Sequence, residues 1–313
     1  MKIPNVNICI VTYNSEEDIT SCLDAVLEQS YPVGKIIVID NASSDGTLNR
    51  LSPYLNRIHL VCNQINNGFA GGQNQAIRLF PSDYYLVLNP DVFLHSDYIS
   101  EVIKFMESHR EVGSATGKLV LESDNKIMDS AGIELKWYRK ANDLAAGQLA
   151  ADWNSITPVF GVSGAAAVYR AEMINQISLD NHFFDEDYFA YKEDVDVAWR
   201  AQNLGWRSYF IPTALARHKR GWKAGDRRRI SLFLRKRSYQ NHIYTLIKNE
   251  AVGWRLVYML PILVFLEVAK LVYLLLREPG LLRVWPDIIK LAPQMVDKRR
   301  KIYGSVSVNI KAK

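Results

Sequence analysis

NICIVTYNSEEDITSCLDAVLEQSYPVGKIIVID, residues 7–40, decides the fold. It opens and closes on runs of β-branched and aliphatic residues, 7–11 and 35–40, each short enough for a buried strand. Between them, residues 16–30 carry apolar spacing near 3.6, the period of a helix with one buried face. The alternation continues outward. IHLVC (58–62) and YYLVLN (84–89) read as strands, whereas DGTLNRLSPYL (45–55), AGGQNQAIRLF (70–80) and SDYISEVIKFMESH (96–109) read as helices. Strand–helix alternation predicts an α/β domain whose mostly parallel sheet has helices on both faces. Neither GxGxxG nor GxxxxGK[ST] occurs, which argues against a dinucleotide-binding Rossmann site and a P-loop.

From about residue 113 the pattern is irregular. VGSATGKLVL and KIMDSAGIEL read as strands able to pair, RKANDLAAGQLAADWNS as a polar loop, and KEDVDVAWRAQNLG as a helix ending at Gly205. WRSYFIP reads as a strand stopped by Pro212. RISLFLRKRSYQNHIYTLIKN reads as a helix, followed by the apolar run 256–276. These divisions predict an α/β domain over 1–222, in halves of 1–112 and 113–222, and a basic, apolar helical region over 223–313.

Composition narrows the partners. A 313-residue chain that is 48% hydrophobic excludes disorder and collagen, and 3 cysteines exclude a disulfide scaffold. Cys9, Cys22 and Cys62 sit in or beside apolar runs and read as reduced core thiols of a cytosolic protein. The N-terminal run is too short for a signal peptide. Residues 1–216 hold 16 basic and 27 acidic side chains, a net −11; residues 217–313 hold 22 and 6, a net +16. A basic tail of this kind suits nucleic acid or the inner leaflet of a membrane. The apolar run is 21 residues long, but Pro261 interrupts it and Glu267 and Lys270 fall near its middle. This predicts a helix lying on an anionic membrane rather than crossing it. Clusters 227–229, 235–237 and 298–301 would face the lipid, and the alternative is a helical hairpin packed on the catalytic domain. An apolar run of that length also counts against nucleic acid.

In an open parallel sheet, ligands bind beyond the carboxyl ends of the strands. Those ends carry Thr12-Tyr13-Asn14, then Asp40 through Thr47, then Asn66 through Asn74 with Gly68 and Phe69, then Asn89-Pro90-Asp91. Each tip alone could be capping and turn chemistry, but four on one edge describe a cleft for a polar ligand. Farther on, Asp187, Glu193, Asp194 and Asp196 stand among aromatic and aliphatic residues, where a carboxylate's pKa can rise to the value a general base needs. The small residues Gly161, Ser163, Gly164 and Ala165 permit close backbone approach, either as a helix start facing a diphosphate or as packing beneath the acidic helix. Trp199 and Trp206 read as core, while Trp153 and Trp222 could stack on a sugar.

IVTYN, VIDNASSDGT, NNGFAGGQN, LNPDV and YKEDVDVAWRAQNLGW, in this order and spacing, resemble glycosyltransferase family 2, and more narrowly its bacterial rhamnosyltransferase-like branch. The resemblance spans residues 5 to about 222 and implies a GT-A fold, a nucleotide-sugar donor, Mn2+ or Mg2+, and inversion at the anomeric carbon. It places Asp40 on a pyrimidine N–H, with Thr12, Tyr13 and Asn14 around base and ribose. Gly68, Phe69, Asn74, Asn89, Gly164 and Glu193 fall among its substrate-binding positions. Asp91 and His218 would hold the metal, and Asp194 matches the catalytic base. Where the family has a DxD motif this chain has Asn89-Pro90-Asp91, one carboxylate fewer. The implied reaction moves a sugar, rhamnose from dTDP-rhamnose by branch, onto a polyprenyl-linked cell-surface glycan at the cytoplasmic membrane face. UDP-linked galactofuranose, N-acetylglucosamine or glucose are alternative donors.

Overall fold

In the computed structural model, which describes residues 3–220, 230–251 and 253–311, the apolar runs of the first ninety residues form parallel strands β1 (Val6–Thr12), β2 (Ile36–Asp40), β3 (His59–Cys62) and β4 (Tyr84–Leu88), side by side in the order β3-β2-β1-β4. Thr12 stands opposite Asp40, and Asp40 opposite Cys62. The register therefore aligns the polar tips along one edge. Helices α1 (Ile19–Leu27), α2 (Thr47–Leu51) and α4 (Tyr98–Ser108) bury Ile19, Leu23, Leu51, Ile99 and Val102 against one face of the sheet. On the other face, α3 (Gly68–Leu79), α5 (Ala171–Ile177) and α6 (Glu193–Asn203) bury Ala76, Met173, Ile177 and Val197.

Past β4 the sheet becomes mixed. Strand β11 (Ala166–Arg170) runs antiparallel between β4 and β6 (Val112–Leu121), and β12 (Arg207–His218) runs parallel to β6. Strands β5 (Val92–Leu94) and β10 (Thr157–Val159) pair antiparallel with β12, and β7 (Asp124–Ser130) with β6. The supposed polar loop contains β9 (Ala141–Asp143), which pairs with β8 (Ile133–Leu135). Pro212 does not end its strand. The register against β6 shifts between Ile211 and Leu215, so the residue without an N–H sits in a bulge and the strand continues to His218. No helix starts near Gly164, which leads straight into β11. Cys9 and Cys22 are buried as expected, but Cys62 ends the edge strand and is exposed.

The C-terminal region consists of α7 (Leu232–Asn249), α8 (Trp254–Arg277) and α9 (Trp285–Lys311). Tyr239, Tyr244, Ile288 and Met295 of α7 and α9 form a core with Tyr188 of the catalytic body. Helix α8 runs unbroken through Pro261. Among the described residues it is the one helix long and apolar enough to cross a membrane, an 18-residue window within Leu256–Arg277 having mean hydropathy 2.2 with only 6% of it buried. Its charges turn inward: Glu267 lies 3.5 Å from His242 of α7 and 3.4 Å from Lys270, whose ammonium sits over the Tyr239 ring.

Within the clusters expected to face lipid, several side chains also pair with the chain's own acids. Arg235 pairs with Glu278, Lys298 with Asp185 and Asp187, and Lys301 with Asp180. Arg227, Arg228, Arg229 and Trp222 lie outside the described residues. Lys298 and Lys301 thus join the tail to acids of the body, whereas the partner of Arg235 lies within the tail itself.

Candidate active site

Thr12 and Asp40 end adjacent strands, and the Thr12 hydroxyl donates to Asp40 Oδ1 at 2.9 Å. The Ser43 hydroxyl and N–H add bonds to the two Asp40 oxygens at 2.6 and 3.0 Å. A carboxylate offers about four acceptor sites, so roughly one stays open for a ligand N–H. Tyr13 is exposed at the rim, and Asn14, at φ +53°, receives the Ser44 N–H on its side-chain oxygen at 2.8 Å.

In the third loop Gly68 is required on two counts. Its φ is +72°, and a Cβ there would lie 2.4 Å from the Phe189 carbonyl oxygen. Phe69 packs edge-on to Phe184. Asn74 is buried and fully engaged, exchanging bonds with the Phe184 N–H and carbonyl and donating to Glu186. It ties α3 to the segment before α6 and does not line an open surface.

The fourth tip meets the end of β12. Asn89 is fixed through its N–H to the Ala165 carbonyl. Asp91 Oδ2 lies 3.4 Å from His218 Nε2, and His218 Nδ1 lies 2.7 Å from Asp129 Oδ2. Asp129, on β7, is buried, and its other oxygen is gripped by Arg220, which also holds Asp143 at 2.7 Å. Burial alone would lower the His218 pKa, but the bonds to Asp129 and Asp91 outweigh it and raise the imidazole to about 9. Asp129 did not emerge from the sequence. Its signal was a single carboxylate within the apolar run KIMDSAGI.

Among the described residues no three His, Cys, Asp or Glu side chains converge as a metal cage. One half-exposed carboxylate and one imidazole nevertheless suit a divalent cation that takes its remaining ligands from phosphate and water. An Nδ1–H donated to Asp129 fixes the ring with Nε2 facing Asp91, and a cation bound between them would take the place of the Nε2 proton.

The four acids near α6 separate into two kinds. Asp196 is fully buried and bonds Arg200, Lys248 and Asn249; Asp187 pairs with Lys298. Glu193 and Asp194 form no ion pair among the described residues. Asp194 is partly exposed and accepts from the Gly164 N–H at 3.3 Å and the Val195 N–H at 2.8 Å. Burial is the main cause raising its pKa, and the positive charge of Lys192 only partly opposes it. Glu193 is buried with Oε2 unpartnered; burial, then the Asp194 charge, push it up to about 8. Tyr191 feels the charges of Glu193, Arg220 and Asp91 together, and Asp143 acts on Asp194, so the acid pair and the Asp91–His218 pair share one neighbourhood. Gly161 packs beneath α6, where a Cβ would strike Ala198 at 2.3 Å. Trp199 and Trp206 are packing residues as expected: Trp199 meets Phe160 edge-on, Trp206 donates to Gln176, and Trp153 meets Phe210.

The backbone before α6 is strained. Phe189, Tyr191 and Lys192 have φ of +61°, +74° and +72°, each costing on the order of 1–3 kcal/mol.

Residues 7–177 match the family described as Glycosyl transferase family 2. The chain is 26% identical over 230 residues to the amylovoran biosynthesis glycosyltransferase AmsB of Erwinia amylovora, covering 70% of each. It is 25% identical over 217 residues to a poly-beta-1,6-N-acetyl-D-glucosamine synthase of Staphylococcus aureus, covering 68% of this chain and 50% of the synthase. It therefore spans about half the length of that relative. The fold is similar to that of GalNAc-T7, solved with UDP, GalNAc and Mn2+, at a TM-score of 0.61 and 10% identity, over 79% of this chain and 49% of that one.

Proposed function

The chain belongs to glycosyltransferase family 2, and we propose that it is an inverting, metal-assisted enzyme of cell-surface polysaccharide synthesis, with Asp194 as general base. The observation that carries this reading is the Asp194 carboxylate: raised in pKa, without an ion-pair partner among the described residues, held by the Gly164 N–H, and close to Asp91 and His218.

In the proposed reaction an acceptor hydroxyl oxygen bonds to the anomeric carbon as the bond to the nucleoside diphosphate breaks. The hydroxyl proton passes to Asp194, and the leaving group departs with the electron pair. Asp91 and His218 would hold Mn2+ or Mg2+, which when bound neutralises charge on the diphosphate. Asp40, with its remaining acceptor site, would take a pyrimidine N–H.

The donor proposed is dTDP-rhamnose, from the branch its motifs resemble, and the acceptor a polyprenyl-linked glycan at the cytoplasmic membrane face. The exposed apolar surface of α8 supports membrane contact, because burying it in lipid removes it from water. The rival nucleic-acid reading rested on the basic tail, and Lys248, Lys298 and Arg235 of that tail are paired with the chain's own acids.

The test is transfer by the purified chain from dTDP-rhamnose and from UDP-linked N-acetylglucosamine, glucose and galactofuranose, with manganese and with excess chelator. Activity with one pyrimidine donor and its loss on chelation are expected, together with heat protection by thymidine or uridine diphosphate. Equal protection by guanosine diphosphate would overturn the base-pocket assignment.

A further inference from the structure

The segment joining Tyr188 to α6 bends in a way few residues tolerate. The Ala190 N–H reaches back to the Tyr188 carbonyl at 2.6 Å, and Phe189 has φ +61° and ψ −62°, a γ-turn of the rare, strained kind. Tyr191 and Lys192 follow in left-handed conformations, and the next two residues are Glu193 and Asp194. The turn is gripped from two sides. On one side the Phe189 carbonyl accepts the Ala70 N–H at 3.2 Å and presses on Gly68 of the third strand-tip loop. On the other, Asn241 of α7, fully buried, points its carboxamide N–H2 at three carbonyls: Tyr188 at 2.9 Å, Ala190 at 2.9 Å and Tyr191 at 2.7 Å. Only the N–H2 end can face three acceptors; the amide oxygen, turned away, has no partner.

We propose that Asn241 is a positioning residue: by holding the carbonyls of this strained turn it sets the acidic start of α6 in its working place, and α7 thereby completes the active site. Four residues beyond it, Thr245 meets the Tyr188 hydroxyl at 3.0 Å, and Lys248 and Asn249 hold Asp196. One face of α7 therefore fixes both the turn and the first turns of the helix that follows. Without the three bonds the turn would relax toward ordinary backbone angles and carry Glu193 and Asp194 with it. A misplacement of about 1 Å at a reacting group can cost roughly 100-fold in rate.

The inference rests on the reading of Asp194 as base, and the experiment separates the two. Asn241→Leu keeps the branched shape, in a somewhat larger side chain, and removes the donors; Asn241→Ser is the smaller variant should the leucine chain not fold. Turnover, donor Michaelis constant, nucleoside diphosphate affinity and melting temperature are measured for each, and for Asp194→Asn with and without the Asn241 change. The expected result is a 10- to 100-fold loss of kcat with nucleotide affinity within about 3-fold of the parent, and no further loss when the change is added to Asp194→Asn. Lys192→Gly, which adopts the left-handed conformation freely, should recover part of the turnover lost in the Asn241 variant. Loss of nucleotide affinity in proportion to kcat, or unchanged kcat, overturns the proposal. Should Asp194→Asn prove active, the base assignment fails. The Asn241 variants then decide the positioning role by the same split between kcat and affinity.

Discussion

Asp185 and Asp196 can be set beside Glu193 and Asp194. All four are carboxylates within twelve residues, Asp185 capping the short turn before α6 and the other three in its first turn. The first pair meets cations: Lys248 lies 2.6 Å from Asp185 and 2.9 Å from Asp196, with Lys298 and Arg200 completing the set. Although burial opposes it, those charges hold both carboxyls below the usual carboxylate range. The second pair has no such partner among the described residues, and burial pushes both upward. A buried acid given a lysine is a structural joint, whereas an acid kept from one retains the basicity that proton transfer needs.

Four changes test this division, from the largest expected effect to the smallest. Lys248→Met leaves two buried carboxylates short of a cation and should cost about 3–5 kcal/mol of stability, read by denaturant unfolding. A stable variant would show that the joint carries no weight. Asp194→Asn should leave the denaturation midpoint near that of the parent while lowering turnover by roughly 100-fold or more. Near-normal turnover would move the base elsewhere; Asp196 is too enclosed to replace it, which leaves Glu193.

The pH dependence distinguishes the pairs by sign. Asp185 and Asp196, depressed in the fold, contribute stability that is present above the ordinary carboxylate range and lost as pH falls through and below it. Glu193 is raised, so between about pH 4.5 and 8 the folded chain binds more protons than the unfolded chain and stability falls as pH rises. Glu193→Gln should remove that decline and leave the acid limb unchanged; an unaltered profile would place the decline on another group. The smallest effect on chemistry is expected at α8. Changing exposed Leu260, Val264, Phe265, Val268 and Leu275 to glutamine should abolish flotation with anionic liposomes while altering transfer to a water-soluble acceptor less than about 3-fold. Flotation that survives the change would place membrane contact elsewhere.

The strand tips were legible because buried parallel strands need unbroken apolar runs, and the polar residue ending each run then falls on one edge. The ordered motifs singled out Asp194, and the loop after WRSYFIP singled out His218. Pro212 misled, because a bulge within β12 accommodates a proline that would otherwise end a strand. Asp129 and Asn241 were not legible, because their partners lie 89 and about 50 residues away and only the folded topology brings them together. A trace of the latter existed: Asn241, Thr245 and Lys248 recur at helical spacing beside Tyr244, a polar stripe on a face that otherwise looks apolar. Composition records how many charges the basic tail holds, and only the fold shows that Arg235, Lys298 and Lys301 pair within the chain.

The joint between α6 and the C-terminal helices also has a direction in time. A ribosome delivers Asp185 well before its cations: Lys248 follows it by 63 residues and Lys298 by 113, whereas Asp196 meets Arg200 four residues on and waits only for Lys248. At about 5–20 residues per second that interval lasts several seconds, during which a nearly complete sheet carries Asp185 without a cation and Asp196 with Arg200 alone. The catalytic body of the nascent chain should therefore stay loose and open to proteases until α7 and then α9 emerge, and a transcript truncated before residue 248 should yield a chain that is degraded rather than a smaller enzyme.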